Sequence, residues 1–386
     1  MRVKRVLAAL LLLCAVTMSI DAAAQTQMNV YFAANAMDEE TAGALMERTR
    51  QAFPQAQWRA ILQTGENDLR ALILGDDVPD LIVCAPGEAN LWVSDGLFAA
   101  LDGCVTDAAR ISEPVLDACI QDESLFMLPL TARHRQMAVN RRLLEKRRMG
   151  YMANTIEHPI WYPMEFDQLL EEFALADHPA LEIWPAEPET CGALEALLQA
   201  LYGGAWLTEG GETGQADHIN VQASLEWLRD RVRGGLIARV GSREEALTHF
   251  LNGETALFMD WRTGDERRCA RELEKNGVEL LTMPYPSSTG FVIRSFELTG
   301  VCVAAGANSA LAMRAAALWH EDAQAQRALG ERGIWKDDAV WLPEIDATQK
   351  GLTLRRLMCE AIESALSGES APKDALRLVQ TTLDAM

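Results

Sequence analysis

The sequence predicts an α/β protein in which mostly parallel sheets are flanked by helices. Two observations predict this class. Strand and helix patterns alternate in the order β-α-β-α-β near the start of the chain, and the 386 residues are enough for about two domains, each with a buried core. Ligands of such sheets bind at the carboxyl ends of the strands, so the loops that begin at Asn35 and Pro86 are the first to consider.

The alternation begins with the strand pattern MNVYFAA at residues 28–34. Apolar residues on one helical face then predict a helix around 45–53, and QWRAIL at 57–62 predicts the second strand. Residues 68–74 predict a short helix, and DLIVCA at 80–85 predicts the third strand. Parallel strands joined by helices follow from this order.

A longer amphipathic helix is predicted in the second half of the chain. Apolar residues recur at helical spacing from Val221 to Leu236, and Gly234 and Gly235 mark the place where this helix stops. The sequence contains no internal repeat, low-complexity tract or long linker.

Residues 1–24 have the order of an export signal. Arg2, Lys4 and Arg5 precede an apolar run that ends at about Val16, and Ala22, Ala23 and Ala24 supply the small residues of a cleavage site. An apolar run this short falls below the roughly 20 residues that a membrane span needs. We therefore expect cleavage of the leader and export to the periplasm or the extracellular space.

The eight cysteines predict few covalent links. Cys14 follows three leucines, a weak resemblance to a lipoprotein processing site, so lipid attachment stays open. No C-x-x-C spacing indicates a zinc or redox site. Cys104 with Cys119 is the one candidate disulfide, whereas buried free thiols are the simpler interpretation of Cys84 and Cys302.

The charge of the chain excludes several partners. The net charge is −21, and cleavage after Ala24 removes three basic residues and one acidic residue, which leaves −23. Such a field repels phosphate backbones and anionic lipid. We therefore expect neither nucleic acid nor a membrane surface as a partner.

Catalytic signatures are missing from the sequence. The chain contains no H-E-x-x-H, no G-x-S-x-G, no phosphate loop and no dinucleotide-binding G-x-G-x-x-G. Adjacent acid pairs such as Asp76 and Asp77 point in different directions in a helix or strand, which favours a solvated surface over acid/base chemistry. We expect no enzyme, no cofactor and no metal site.

A series of segments resembles a known family in the family's own order. VPDLIVCAPGEANLWVSDGLFAALD is similar to its Pro-Asp strand and ligand loop, and LPLTARHRQMAVNRRLLEKRRM to its first crossing between lobes. The later segments YPMEFDQLLEEFA, INVQASLEWLRDRVRGGLI, EALTHFLNGETALFMDW, LLTMPYPSSTG and TGVCVAAGANSALAMRAAALWH resemble family helices, strands and the return crossing. The family is the extracellular solute-binding proteins of ABC importers, in the sugar-binding group that includes maltose-binding protein.

The resemblance implies a two-lobed periplasmic-binding-protein-like fold, each lobe a mostly parallel sheet flanked by helices. The implied hinge has three crossings, near 131–135, 283–288 and 320–326. The implied division of the chain is a signal peptide at 1–24, a first lobe at 25–132 and 286–322, and a second lobe at 133–285 and 323–386.

The resemblance also indicates a ligand site at Asp260, Trp261 and Arg262. Family members place an aromatic residue just past the end of this strand, facing the cleft. A ring face packs against the C–H side of a sugar, while carboxylates and guanidinium groups bind its hydroxyls. Because Asp260 and Arg262 are not expected to be buried without partners, we expect the turn at the cleft. The alternative is that Trp261 is buried in the second lobe.

Five further residues are candidate ligand contacts through their positions in the resemblance. Asn35 and Glu88 belong to loops of the first lobe, and Arg133 lies at the first crossing, where pairing with acids of the other lobe is an equal alternative. Glu189 precedes a helix that presents ligand contacts in the family. Trp161 precedes another helix, where packing is the alternative to stacking on a ligand.

The implied function is capture of a small polar ligand, with a sugar or oligosaccharide first. The closed, ligand-bound monomer would then deliver it to a membrane ABC permease. A sensory or scaffold protein on the same fold and an exported hydrolase are the alternatives.

Overall fold

The structure is a computed structural model. It describes residues 26–33, 36–63, 69–75, 78–93, 95–105, 108–121, 123–151, 161–174, 179–186, 192–206, 214–262, 264–289, 293–329, 334, 340–343 and 349–385. The predicted export signal with Cys14, and the candidate residues Asn35 and Glu189, lie outside these residues. No helix within them is long and apolar enough to cross a membrane.

The described residues form twelve strands. They are β1 (Thr26–Phe32), β2 (Ala56–Leu62), β3 (Leu81–Cys84), β4 (Ile120–Gln121), β5 (Ser124–Leu125), β6 (Met127–Asn140), β7 (Leu181–Ile183), β8 (Ile237–Arg239), β9 (Leu257–Arg262), β10 (Leu280–Met283), β11 (Ile293–Val303) and β12 (Val340–Pro343).

The α-helices of the described residues lie between and after these strands. They are α1 (Glu39–Ala52), α2 (Leu69–Leu74), α3 (Pro86–Val93), α4 (Glu113–Asp117), α5 (Arg141–Lys146), α6 (Pro163–Ala174), α7 (Gly192–Tyr202), α8 (Ile219–Arg233), α9 (Arg243–Leu251), α10 (Asp265–Arg268), α11 (Ala270–Asn276), α12 (Ser309–Glu321), α13 (Ala323–Leu329), α14 (Gln349–Ser367) and α15 (Pro372–Asp384).

The predicted β-α-β-α-β unit is confirmed. β1 pairs in parallel with β2 on one side and with β3 on the other, and α1 and α2 connect the three strands. Asp38 caps α1, because its carboxylate accepts a hydrogen bond of 2.7 Å from the backbone N–H of Thr41. The predicted helix that stops at Gly234 is also confirmed as α8.

One sheet path runs through both lobes in the order β2-β1-β3-β11-β6-β9-β7-β8. β6 is the strand shared by two hydrophobic cores. Its first half contributes Met127 to Ala132 to the core of the first lobe, and its second half contributes Met137 to Val139 to the core of the second lobe. The protein is therefore a two-lobed α/β fold whose sheets are continuous through a single strand.

The lobe boundaries differ from the expected ones at the third crossing. Ala325 and Leu329 of α13 and Ile334 are buried in the first core, whereas the prediction assigned residues from 323 onward to the second lobe. The reason is that α13 packs against α1 of the first lobe. The second core resumes at Leu354, so the crossing lies between Ile334 and Leu354 instead of at 320–326.

The second crossing also lies slightly later than expected. Ser287 and Ser288 still donate backbone hydrogen bonds to Trp161 and Ala200 of the second lobe. Phe296 is the first residue after them that is buried in the first core. The chain therefore changes lobes after Ser288, whereas the predicted domain boundary was at 286.

The candidate disulfide is contradicted. Cys104 and Cys119 are both free thiols, and so are the other cysteines of the described residues, Cys84, Cys269, Cys302 and Cys359. Cys84 and Cys302 are buried, as the simpler interpretation predicts. The two cores account for the fold without a covalent link among the described residues.

An ion pair between β7 and α9 predicts a dependence of stability on pH. His249 Nδ1 lies 2.9 Å from both carboxylate oxygens of Glu182. The hydrogen bond to Glu182 raises the pKa of His249 above 6.5, and burial raises the pKa of Glu182 above 4.5 despite the nearby histidine. The raised pKa of His249 therefore contributes stability that is fully present below 6.5 and is lost as the pH rises through the raised value. Burial makes the ionised form of Glu182 less favourable, which offsets part of that contribution.

We expect His249→Gln to lower the free energy of unfolding most near pH 6 and progressively less at alkaline pH. Urea unfolding of the wild type and the variant at about pH 6 and about pH 9 measures this difference. Equal losses at both values would contradict a charged pair and indicate a neutral hydrogen bond.

Candidate functional site

The candidate site lies where β6 passes from one lobe to the other. Glu297 of β11 pairs with Arg133 of β6, and Arg262, the last residue of β9, pairs with Arg135. β3 points toward this crossing from the first lobe, because Cys84, its last residue, is level with Gly300 of β11. The carboxyl ends of the parallel strands in the two lobes therefore face each other across residues 133–135, where ligands of such sheets bind.

Asp260 is the centre of a buried ion cluster at this crossing. Its side chain is fully buried and receives three guanidinium groups. Arg135 Nε lies 3.1 Å from Oδ1, while Arg243 Nε and Arg262 Nη2 lie 2.5 Å and 2.9 Å from Oδ2. Burial alone would raise the pKa of Asp260, but the three cations outweigh it and hold that pKa below its usual value.

Asp265 and Glu297 complete the cluster. Asp265 accepts from Arg243 Nη2 at 3.1 Å and from the backbone N–H of Arg262 at 3.0 Å. Glu297 Oε2 lies 3.7 Å from Arg135 Nη2 and 3.6 Å from Arg262 Nη1. Three acids thus face three buried or partly buried arginines from β6, β9 and α9, and the exposed Glu244 and Arg268 add outer ion pairs to Arg243 and Asp265.

Arg262 and Glu297 are the members of this cluster that reach solvent most clearly at the crossing. Their side chains are 21 % and 23 % exposed, whereas those of Arg135 and Asp260 are buried. Arg133, next to them on β6, is half-buried. The partly exposed side chains at the crossing are therefore guanidinium groups and a carboxylate, which are able to donate to and accept from hydroxyls.

The prediction that the Trp261 ring is displayed is wrong. Trp261 is 2 % exposed, and its ring makes edge contacts with Phe250 at 6.0 Å and with Phe258 at 6.4 Å between centroids. The register of β9 against β6 shifts after Phe258, so that Met259 and Asp260 together lie opposite Met137. Such a bulge reverses the alternation of faces, which places Trp261 on the core side with Phe258.

The expectation that Asp260 lies at solvent is also wrong. Its carboxylate is buried but paired with arginine side chains, so the free-energy cost of burying an unpaired charge does not arise. Of the three residues in the predicted turn, only Arg262 has a partly exposed side chain.

Trp161 is core packing as well, which contradicts its candidacy as a stacking residue. It is buried against the edge of Phe166, with the ring centroids 5.2 Å apart, and its indole N–H donates to Pro284 O at 2.8 Å. This hydrogen bond fixes the start of α6 to the segment that precedes the second crossing.

Glu88 and Arg133, two further candidate contacts, are both half-buried. Glu88 is half-buried in the first turn of α3, directly after β3, and its carboxylate accepts from the N–H of Ala85 at 3.4 Å. Hydrogen bonds from Thr41, with a smaller effect of the charge on Arg133, lower the pKa of Asp38. Arg133 therefore lies close enough to Asp38 of the first lobe to interact with it.

Sequence reasoning missed Glu297, Arg243 and Asp265. Each lies far from Asp260 along the chain or on a different element, and no local pattern marks it as a partner. The available signal was Asp260 itself, because a carboxylate inside an apolar strand requires buried cations. In the part of the chain that the structure describes, no cluster of histidine, cysteine and acidic residues is arranged to hold a metal ion.

No protein-family model matches the chain, and no curated protein matches it by sequence. Solved structures match it over nearly its whole length. The sugar-binding protein MalE from Xanthomonas citri is 13 % identical with a TM-score of 0.75, and the match covers 93 % of this chain and 97 % of that one. The GacH receptor of Streptomyces glaucescens, solved unliganded and with acarbose, is 18 % identical with a TM-score of 0.72, covering 92 % and 97 %.

A third similar structure is an ABC substrate-binding protein from Listeria monocytogenes in complex with cycloalternan. It is 13 % identical with a TM-score of 0.73, and the match covers 94 % of this chain and 98 % of that chain. At these identities the likeness shows the fold. The two-lobed fold of periplasmic binding proteins, which the resemblance implied, is confirmed.

Proposed function

We propose that the protein is an extracytoplasmic solute-binding protein of an ABC importer. It captures a small polar ligand, a sugar or oligosaccharide, between its lobes and delivers it to a membrane permease. The observation that carries this proposal is the crossing itself: the carboxyl ends of β3 and β9 face each other across residues 133–135 of the one strand that both cores share.

Hinge closure follows from this arrangement. A ligand that touches both lobes makes some of its contacts only in the closed form. It therefore shifts the population toward the closed form. Glu88 belongs to the first lobe, Arg262 belongs to the second, and Arg133 lies between them. These side chains offer a ligand polar contacts from both sides.

A sugar is supported by the chemistry of the crossing and by the structural neighbours. The partly exposed groups of the ion cluster, Arg262 and Glu297, supply both donors and acceptors. Proteins with this fold were solved with acarbose and with cycloalternan. Binding without catalysis is the simpler function, because the neighbours described above are binding proteins and receptors.

A thermal-shift screen of oligosaccharides, with neutral and acidic sugars, peptides and inorganic anions, tests the binding function. A ligand at 100 times its dissociation constant stabilises the folded state by about 2.7 kcal/mol, which shifts the melting temperature measurably. If peptides or anions stabilise the protein and no sugar does, the sugar is the wrong class. If a sugar is consumed by the protein alone, the exported hydrolase is the correct alternative.

Small-angle scattering tests the hinge. We expect a smaller radius of gyration when a ligand found by the screen is added, because closure brings the two lobes together. The radius without ligand, and with a sugar that gives no thermal shift, is the control. An unchanged radius with confirmed binding would contradict hinge closure while leaving the binding function intact.

A further inference from the structure

A basic surface lies on the second lobe just beyond the end of β6, away from the crossing. Residues 141–148 read RRLLEKRR, five cations and one acid, in a chain whose net charge is −21. α5 begins directly after Asn140, the last residue of β6, whereas the crossing is at residues 133–135 of the same strand. The charge of this segment is therefore opposite in sign to that of the whole chain.

The basic surface consists of Arg142, Lys146, Arg147 and Arg148. Arg147 is half-buried and the other three are exposed. The side chains of the three consecutive cations 146–148 form no ion pair with any residue that the structure describes. Within the part of the chain that the structure describes, these three cations therefore have no acidic partner, unlike Arg135, Arg243 and Arg262 at the crossing.

The segment that displays these cations is firmly anchored. Leu144 and Met149 are buried in the second core, and the N–H of Met149 donates to Leu144 O at 2.9 Å. The Asn140 side chain caps the start of α5 by accepting from the N–H of Leu143 at 3.2 Å. The cations therefore project from a fixed platform instead of a free loop.

Exposed apolar side chains lie beside the basic surface. Tyr151 is 56 % exposed and its hydroxyl accepts from Gln168 Nε2 at 3.2 Å. Met164, which is 78 % exposed, lies one helical turn before Gln168 on the same face of α6. Cations next to an exposed tyrosine and a large apolar side chain are typical of surfaces that lie on the headgroups of a bilayer.

We propose that the basic surface, together with Tyr151 and Met164, binds the anionic phospholipid headgroups of a bilayer. The long-range repulsion expected from the net charge is screened beyond about one Debye length, ~8–10 Å, so a local basic surface acts on its own at contact. A bilayer fits better than an acidic protein loop, because headgroups rearrange around several unpaired cations without a complementary shape. The surface is remote from the crossing, so it holds the protein at a membrane without occluding the ligand cleft.

Vesicle co-sedimentation tests this inference on protein purified after export and shown by mass spectrometry to lack the leader. The probe is vesicles of phosphatidylcholine with about one-third phosphatidylglycerol, and pure phosphatidylcholine is the comparison. We expect binding to the anionic vesicles only, weakening as salt rises. The triple variant Lys146→Gln, Arg147→Gln, Arg148→Gln should bind about 10- to 100-fold more weakly, since each cation near such a surface adds to the affinity.

The matched control is the triple variant Arg356→Gln, Lys373→Gln, Arg377→Gln, which removes the same charge from exposed positions on α14 and α15. Unchanged binding of this control, with unchanged melting temperatures of both variants, supports the basic surface as the contact. Equal binding to both kinds of vesicle, or equal weakening in both variants, would overturn the inference. Absence of vesicle binding with charge-dependent capture by a detergent-solubilised permease would also overturn it, in favour of an acidic protein partner.

Discussion

Asp260→Asn is expected to lower the free energy of unfolding by about 3–5 kcal/mol, the loss typical of removing one partner from a buried ion pair. The substitution keeps the shape of the side chain but removes its charge. Arg135 and Arg262 would then face only Glu297, which is more than 3.5 Å from both of them, while Arg243 would keep Asp265 and the exposed Glu244. A buried excess of positive charge is the physical reason for the loss.

Urea unfolding of Asp260→Asn measures this loss through the shift of the midpoint at unchanged slope. The control is Asp374→Asn, which removes a carboxylate from an exposed pair with Arg377 at 2.9 Å and should lower the free energy of unfolding by no more than about 1 kcal/mol. Similar small losses in both variants would show that the cluster at the crossing contributes little to the fold.

Trp261→Ala is expected to lower the free energy of unfolding by about 3–5 kcal/mol, as truncation of a buried tryptophan does. The ring fills space between Phe250 and Phe258, so its removal leaves a cavity in the second core. Affinity for a ligand identified by thermal shift should change little at temperatures where the variant is folded, because the ring does not reach the cleft surface.

Calorimetric titration and urea unfolding on the same Trp261→Ala protein separate the two roles of the ring. Tyr162→Ala, at an exposed aromatic position, is the control and should alter stability by less than about 0.5 kcal/mol. A stable Trp261→Ala protein whose affinity is about 30-fold lower would show that the ring belongs to the ligand site. Truncation of a binding hot spot costs ~2 kcal/mol of binding free energy, which corresponds to a loss of this size.

The elements that could be predicted from the sequence are those whose signal is local. β1, α1, β2, α2 and β3 follow from apolar periodicity within each segment, which is why their order was predicted correctly. The third crossing was misplaced because the apolar face of α13 is recognisable locally, but its partner, α1, lies far away in the sequence.

The position of the first crossing was predictable from the sequence, whereas the arrangement of the side chains around it was not. The segment 131–135 was expected to cross between lobes, and it meets Glu297 and Arg262 there. A single extra residue in the register of β9 changed which side chains face the core, and no pattern in the sequence marks a bulge at Met259. Ion clusters assembled from three distant elements are likewise set by tertiary packing.

The sharing of the first core between two distant stretches of chain has a consequence for biosynthesis. β3 pairs with β11, and the first core needs residues 296–334 in addition to 28–132. When the chain emerges from the ribosome, β3 therefore keeps one edge without its neighbour until the part of the second lobe that lies between β3 and β11 has been translated. Pairings this distant in sequence form slowly, and the slow completion of the first core lengthens the time that the newly made chain spends unfolded.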